Sequence, residues 1–306
     1  MNNDAIQPVY SFLIPNYNCS PECISRLLNS IPCRQDTEII FCDDASDIFP
    51  INPVQFEHIK NLSFILLKDN IGSGACRNLL LEKAKGKYVI YLDSDDCCLT
   101  PEMNTFLDIA KNVNYDIVYW GTQTINLNGK TTEEHYGYIG NDIKPINTKI
   151  PFVYHSYEPW RKIIKKSYLV KRPDIRFDTC KISQDVIFCI KSILYTDSIA
   201  VYPPVTYSYI RRDSSAQGKR WNIKVYQDVA VSLNTAFRLL KDNGYDVCHQ
   251  YTSAIFLKKV MSSSVFSYLK YLFIELKIFE IKLFLVDIDR TLLNSFFTHN
   301  IKRHIK

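Results

Sequence analysis

The chain has 306 residues, of which 46% are hydrophobic and 23% are charged, and its formal net charge is +5. This is the composition of a globular protein that could hold one large or two modest domains. No uncharged apolar run approaches the roughly 18 residues of a spanning helix, and the N-terminus lacks the basic and apolar regions of a secretory signal.

The ten cysteines form no CxxC pair, and several lie within apolar runs. This pattern argues against a zinc site or a disulfide framework and favours reduced, buried thiols. We therefore expect a cytoplasmic protein, either soluble or bound peripherally to the inner face of the membrane.

The first third of the chain alternates between strand and helix patterns. We predict strands at residues 9–14, 38–42, 62–67, 88–92 and 116–120. We predict helices from Ser20 to about Ile31 and at residues 75–85 and 100–113. The alternation is typical of an α/β fold: a Rossmann-like, mostly parallel sheet with helices on both faces.

The pattern changes after Trp120. Asn128-Gly129 is a strong hairpin signal, and helical patterns follow at residues 159–169 and 183–195. From residue 221 onward the chain reads as helices joined by short breaks. We predict a nucleotide-binding α/β half at 1–120, a second half of the same domain at 121–220, and a helical C-terminal region at 221–306.

The run Tyr88–Asp96, YVIYLDSDD, ends an apolar strand in three carboxylates, Asp93, Asp95 and Asp96. Open α/β sheets bind ligands at the C-terminal ends of their strands. Closely spaced carboxylates repel one another unless a cation or protons neutralise them, and Mg²⁺ prefers such oxygen ligands. The alternative is an Asp-rich turn that caps the next helix.

Three other polar segments follow strand ends and would converge on the same crevice. They are residues 15–18, residues 43–47 and the glycine-rich turn 70–78, which carries Arg77. Acidic groups there can accept from a base N–H or from ribose hydroxyls, and Arg77 adds a fixed positive charge. Taken one at a time, the acids could cap a loop, the glycines could form an ordinary turn, and Arg77 could be a surface residue.

The order and spacing of SFLIPNYN, EIIFCDDAS, NIGSGACRN, GKYVIYLDSDD and SQDVIF resemble glycosyltransferase family 2, over about residues 10–215. The resemblance implies the GT-A fold. It also implies an inverting enzyme that uses Mg²⁺ or Mn²⁺ and a nucleotide-sugar donor, UDP-linked by preference. By the same likeness the acceptor is a glycan or a lipid-linked oligosaccharide.

The resemblance also assigns residues on the donor side. Asp95 and Asp93 match the metal-binding DxD motif, and Asp185 matches the catalytic base. Gln184 stands where the family has Glu, which removes one charge beside the base. The matching nucleotide-binding residues are Pro15, Tyr17, Asn18, Asp43, Asp44, Arg77, Asp93 and Ser94.

A second group resembles the family's acceptor or diphosphate contacts: Trp160, Lys162, Gln184, Arg211 and Arg212. Trp160 could stack on a sugar face, and a core tryptophan is the alternative. The two arginines suit phosphate oxygens, and a solvated basic loop is the alternative.

The C-terminal segment 256–306 is basic and aromatic, with an imperfect amphipathic pattern. Binding to an anionic membrane surface, packing on the catalytic domain and homo-oligomerisation all stay open, and nucleic acid is not expected as a partner. The run 286–292 fits a haloacid-dehalogenase phosphatase signature, but too little chain follows it. The rival functions are a nucleotidyltransferase, which would need a glycine-rich loop after the first strand, and a non-catalytic nucleotide-sugar-binding scaffold.

Overall fold

The computed structural model of the protein describes residues 7–179, 184–212, 231–232, 235–236 and 238–245. Its strands are β1 (Tyr10–Asn16), β2 (Thr37–Asp43), β3 (Leu62–Leu66), β4 (Tyr88–Tyr91), β5 (Cys97–Cys98), β6 (Ile117–Ile125), β7 (Thr131–Glu134), β8 (Lys144–Pro145), β9 (Lys162–Lys165) and β10 (Ile199–Ile210). Its helices are α1 (Pro21–Ser30), α2 (Ser73–Lys83), α3 (Thr100–Ala110), α4 (Ile150–His155), α5 (Lys166–Lys171) and α6 (Gln184–Leu194), with 3₁₀ turns at Pro53–Phe56 and Pro159–Arg161.

The described strands form one mixed sheet in the order β3-β2-β1-β4-β9-β6-β10-β5, with β7 on β6 and β8 on β10. The first four strands pair in parallel. The chain moves outward from β1 to β2 and β3, then returns to place β4 on the other side of β1. The strand order therefore reverses between β1 and β4, and such a switch point opens a crevice at the C-terminal ends of the strands.

The sequence pattern predicts a helix over residues 159–169, and this prediction is wrong. Residues 162–165 form β9, which pairs antiparallel with both β4 and β6. Ile163 and Ile164 are both fully buried because a central strand is covered on both of its faces. A short apolar run of this kind is compatible with a buried strand and with a buried helix, so its pattern does not distinguish the two. The insertion of β9 makes the sheet mixed rather than mostly parallel.

The predicted hairpin at Asn128-Gly129 is confirmed, since it joins β6 to β7. Gly129 has φ +77°, a value that glycine adopts at little cost. The long strand β10 runs parallel to β6 on its other edge, and its last residue precedes Arg211 and Arg212.

Helices cover both faces of the sheet, as the sequence predicts. On one face, Phe12 of β1 and Ile90 of β4 belong to a buried cluster with residues of α1 and α3. On the other face, Tyr91 packs edge-on against Phe177 and Phe188, the latter from α6. The α/β sandwich thus holds α6 next to β4, the strand that leads to the acidic run.

Residues 219–306 form a second compact unit. Its described residues 231–232, 235–236 and 238–242 are helical. The run 286–292 and the basic segment 256–306 lie outside the described residues. Over the part of the chain that is described, no helix is both long and apolar enough to cross a membrane.

Candidate active site

The loops after β1, β2 and β3 are joined by side-chain hydrogen bonds at the predicted crevice. Asp43 Oδ1 accepts from Asn16 Nδ2 (2.7 Å) and from Ser46 Oγ (2.6 Å). Asp44 accepts from the backbone N–H groups of Ile71 (2.7 Å) and Gly72 (2.8 Å). The loops that the sequence predicts to converge therefore do so.

These bonds give the two neighbouring acids different surroundings. Both carboxylates are buried. Both oxygens of the Asp44 carboxylate accept hydrogen bonds from the backbone of the glycine-rich turn, so Asp44 fixes the conformation of this turn. Ala45, which follows Asp44, adopts φ +58°, a left-handed conformation that costs a non-glycine residue energy. Tyr17, in the loop after β1, is 52% exposed and leaves its ring free for a planar base.

Arg77, on α2, is a buried cation. Its side chain is 7% exposed and donates from Nη2 to Asp93 Oδ1 at 2.8 Å, and its guanidinium lies over the ring of Phe177. The Nε and Nη1 groups are buried without a hydrogen-bond partner. Unpaired buried donors are costly, so they are available to a ligand oxygen.

The three carboxylates of the acidic run have separate surroundings. Asp95 forms an ion pair with Arg212, while its backbone carbonyl accepts from Arg26. Asp96 is fully buried and accepts from Tyr207 Oη (2.9 Å) and from the backbone N–H of Ile210 (2.8 Å). Asp96 therefore anchors the end of β10, the strand that leads into Arg211 and Arg212.

Burial raises the pKa of Asp96 well above its ordinary value, and the charge of Asp93 raises it further. The sequence places Asp96 in the run but gives it no separate role. Its only signal is adjacency to Asp95, which does not reveal that the turn directs it inward.

The side chain of Asp185 lies in the first turn of α6. Burial raises its pKa to about 6; the positive charge of Arg77 opposes this shift, and the charges of Asp93 and Glu158 add to it. Asp93 and Asp185 thus lie within electrostatic reach of the same guanidinium. A carboxylate with a pKa in this range is a candidate for a general base.

Helix α2 connects the donor side of the crevice to the segment that carries Asp185. Asn78 donates from Nδ2 to the Phe177 carbonyl (2.9 Å) and accepts from the Phe177 N–H (3.0 Å). Gln184 Nε2 donates to Ser73 Oγ. Gly74 leaves no room for a Cβ, which would overlap the Asp178 carbonyl. The helix that carries Arg77 therefore also docks the segment that leads into α6 and the start of α6 itself.

The structure places several acceptor-side residues away from the crevice surface. Trp160 is 5% exposed and stacks on Tyr207 and Tyr209. Lys162 is fully buried, with Nζ donating to the Glu158 carbonyl (3.0 Å) and to Cys189 Sγ (3.3 Å). Both are core residues in this conformation, so their contact with an acceptor stays a prediction that requires rearrangement.

Arg211 is exposed, whereas the Arg212 side chain is 28% exposed and pairs with Asp95. Among the nucleotide-binding candidates, Pro15 and Ser94 are buried and Asn18 is half-buried. Asn18 contacts the loop after β2 through its backbone N–H and Ser46 Oγ (2.8 Å). These residues border the crevice; their contact with a nucleotide stays a prediction.

The oxygen donors after β4 suit a divalent ion that is shared with a ligand. Within the described ranges, no group of three or more His, Cys, Asp or Glu side chains could hold a metal alone. Mg²⁺ in such enzymes is held by one or two carboxylates plus substrate phosphates. Asp95, with Asp93 two residues before it, fits that arrangement if the arginine partner of Asp95 turns to the phosphates.

Comparison with known proteins gives an independent result. The model of the family described as Glycosyl transferase family 2 matches residues 11–182. The chain is 28% identical over 211 residues to the poly(ribitol-phosphate) beta-glucosyltransferase of Bacillus spizizenii, covering 66% of this chain and 32% of that protein. It is 26% identical over 239 residues to the cholesterol galactosyltransferase of Borreliella burgdorferi, covering 73% of this chain and 65% of that protein.

The fold also matches a solved structure. Residues 1–349 of TarS from S. aureus, in complex with UDP-GlcNAc, superpose with a TM-score of 0.61 at 22% identity. The match covers 83% of this chain and 73% of that one, and at this identity it shows the fold alone. The predicted GT-A fold is therefore confirmed. The chain spans about a third of the length of the B. spizizenii relative.

Proposed function

Because the chain belongs to glycosyl transferase family 2, we propose that it is an inverting glycosyltransferase that moves a sugar from a nucleotide-diphosphate donor to an acceptor hydroxyl. The observation that carries the proposal is the placement of Asp185 beside the crevice. The Arg77 guanidinium pairs with Asp93, the first acid after β4, and its charge also acts on Asp185. One buried cation thus acts on the base that we propose and on a carboxylate of the donor side.

The donor side supports a UDP-linked sugar. The exposed ring of Tyr17 can stack on a base, and the Asp43 carboxylate can accept from a base N–H beyond its bonds within the loop. An Escherichia coli relative is named as a glucosyltransferase that uses UDP-Glc, and the TarS structure contains UDP-GlcNAc.

Sugar transfer with inversion is a single displacement. The acceptor oxygen bonds to the anomeric carbon, the bond from that carbon to the diphosphate oxygen breaks, and the nucleotide diphosphate leaves. Asp185 takes the proton from the acceptor hydroxyl, which its pKa of about 6 permits near neutral pH. Arg77 pairs with Asp93 and so offsets the repulsion between the carboxylates of Asp93 and Asp185.

We propose Mg²⁺ or Mn²⁺ as the cofactor, held by Asp95 with Asp93. When bound, such an ion neutralises the charge that develops on the leaving diphosphate. Arg212 forms an ion pair with Asp95 in the structure. Arg212 and its exposed neighbour Arg211 are then candidates for the phosphate oxygens, because guanidinium groups bind them well.

The acceptor that we propose is a hydroxyl of a glycan or a lipid-linked oligosaccharide. Relatives are named for poly(ribitol-phosphate), for cholesterol and for a diphosphoundecaprenol-linked sugar. These names share a hydroxyl acceptor on a polymer or a lipid. We propose that the protein acts on such a polymer or at the inner face of the membrane.

The proposal is tested by screening UDP-linked sugars for metal-dependent thermal stabilisation, since a ligand of the folded state raises the apparent stability. Stabilising donors are then offered with glycan acceptors, and the anomeric configuration of the product is read by proton NMR. We expect transfer with inversion. Donor binding without transfer or donor hydrolysis would instead indicate a non-catalytic scaffold.

A further inference from the structure

A cavity of about 590 Å³ lies at the end of the sheet opposite the crevice. Val9, which precedes β1, and Lys87, which precedes β4, line it. The six residue steps from Lys87 to Asp93 span about 20 Å at the rise of a strand. At this distance a donor molecule bound in the crevice does not reach the cavity, so the cavity is a separate site.

Four lysines line the cavity, and its lining contains no acidic residue. Lys85 and Lys87 come from the connection between α2 and β4, and Lys166 and Lys171 come from α5. None of the four pairs with a carboxylate of the described residues within 4.0 Å. We call this group, with the space between its members, the lysine cavity.

The carboxylate of Glu38 bonds to the backbone of the connection between α2 and β4 rather than to the lysine side chains. Glu38 Oε1 accepts from Ser11 Oγ (2.6 Å) and from the backbone N–H groups of Lys85 (2.6 Å) and Gly86 (3.2 Å). Lys166 Nζ donates to the Ala84 carbonyl. Even with the charge of Glu38 counted, the cavity has an excess of positive charge.

We propose that the lysine cavity binds phosphate groups of an anionic polymer. Lysine binds phosphate as a point charge with three donors, and several lysines around one space favour a ligand with more than one anionic group. The volume is that of an ordinary ligand site. The inference rests on the proposed function in one respect: the polymer is the acceptor chain, held here away from the hydroxyl that reacts.

The shape of the site favours a polymer over a membrane surface. Helices that lie on membranes insert a face of large apolar side chains such as Trp, Phe and Leu. The apolar residues that line this cavity are Pro8, Val9 and Val170, and only Val170 is strongly exposed. A recess with lysines at its rim suits a chain that carries repeated charges.

The test uses the whole 306-residue chain and inorganic polyphosphate as the probe of repeated phosphate groups. Binding is measured by calorimetry at several salt concentrations, for the wild type and for the double variant Lys85→Gln, Lys171→Gln. The control variant Lys60→Gln, Lys130→Gln removes the same charge from exposed lysines that form no ion pair with a described residue. We expect the first variant to weaken binding at least about tenfold and to lower the salt slope by about one to two.

Equal weakening by the control variant, or no loss in the cavity variant, would overturn the proposal. So would binding to phosphatidylglycerol vesicles but not to polyphosphate, or binding of monophosphate with the same affinity as polyphosphate. Hydrolysis of the sugar donor is measured in parallel and should be unchanged in both variants. If the wild type binds polyphosphate through these lysines yet turns over no donor, the cavity stands and the proposed function fails.

Discussion

The buried side chain of Arg77 acts on two carboxylates, those of Asp93 and Asp185. It pairs with Asp93 at 2.8 Å, yet two of its donor groups have no partner. A buried cation of this kind persists only where neighbouring charges stabilise it. Asp185 is one of these neighbours. Burial raises the pKa of Asp185, and the guanidinium of Arg77 opposes part of that rise.

The pH dependence of transfer should show this coupling. The base works only when it is deprotonated, so kcat/KM should rise with pH and reach half of its plateau near pH 6, the pKa of Asp185. The change Arg77→Met removes a charge that lowers this pKa. The rising limb should therefore move to higher pH, as measured by initial rates across pH 5 to about 9.

Two variants make this test specific. Arg77→Lys keeps the positive charge and should leave the limb closer to that of the wild type. Arg172→Met removes a half-buried arginine that pairs with Asp174 and should not move the limb. A limb that stays in place in a folded Arg77→Met variant would show that Arg77 does not act on the base.

Asp95 is the second residue whose role can be isolated. We expect Asp95→Asn to abolish the metal-dependent part of donor affinity, a loss of at least about tenfold, because an amide oxygen binds Mg²⁺ more weakly than a carboxylate does. Donor binding is titrated with and without a chelator. Asp142→Asn, at an exposed acid outside the crevice, is the control. Donor affinity that is indifferent to the chelator in the wild type would contradict the metal role.

The sequence could not separate the three acids after β4. Asp93, Asp95 and Asp96 are equivalent in type and adjacent in the chain, so the pattern predicts only an acidic strand end. The turn directs one to Arg77, one to Arg212 and one inward to Tyr207. Those partners come from α2, from the end of β10 and from β10 itself, which no local pattern reveals.

At the scale of elements, α2 links donor binding to the base. Its preceding turn is held by Asp44, and its own residues hold Phe177 and Gln184. Because α2 is bonded to the donor-side loops and to the segment that carries Asp185, it sets the distance between them. This role of α2 does not require that the helix contact the nucleotide.

The variant Asn78→Ala tests this link. It removes two hydrogen bonds to Phe177 and should lower stability by about 1–3 kcal/mol. We expect kcat to fall while the donor Kd changes by less than about threefold, because α6 loses its fixed position. Asn112→Ala, which removes one long exposed bond of 3.4 Å, is the matched control. Equal losses in donor affinity and kcat would instead indicate damage to the nucleotide site.

The first four strands and their convergence could be predicted from the sequence, because each is an apolar run that ends in polar residues. The strand β9 could not. Its two isoleucines lie between lysines, and the burial of Lys162 depends on Cys189 and on the Glu158 carbonyl. A lysine in a central strand is satisfied only by partners that tertiary structure brings to it.

At the scale of the whole molecule, the family match covers residues 11–182, and β10 completes the sheet beyond it. Residues 219–306 form the second unit. The predicted boundaries near residues 120 and 220, and the roles predicted for the C-terminal region in membrane binding or oligomerisation, stay predictions.

The role that we propose for Asp185, the proton acceptor of sugar transfer, is checked by measuring kcat and donor Kd for Asp185→Asn. The control is Asp178→Asn, which alters an exposed acid in the segment before α6. We predict that Asp185→Asn lowers kcat by about 10²- to 10⁴-fold with donor Kd nearly unchanged, and that the control retains wild-type values. Transfer by Asp185→Asn at the wild-type rate would contradict the account.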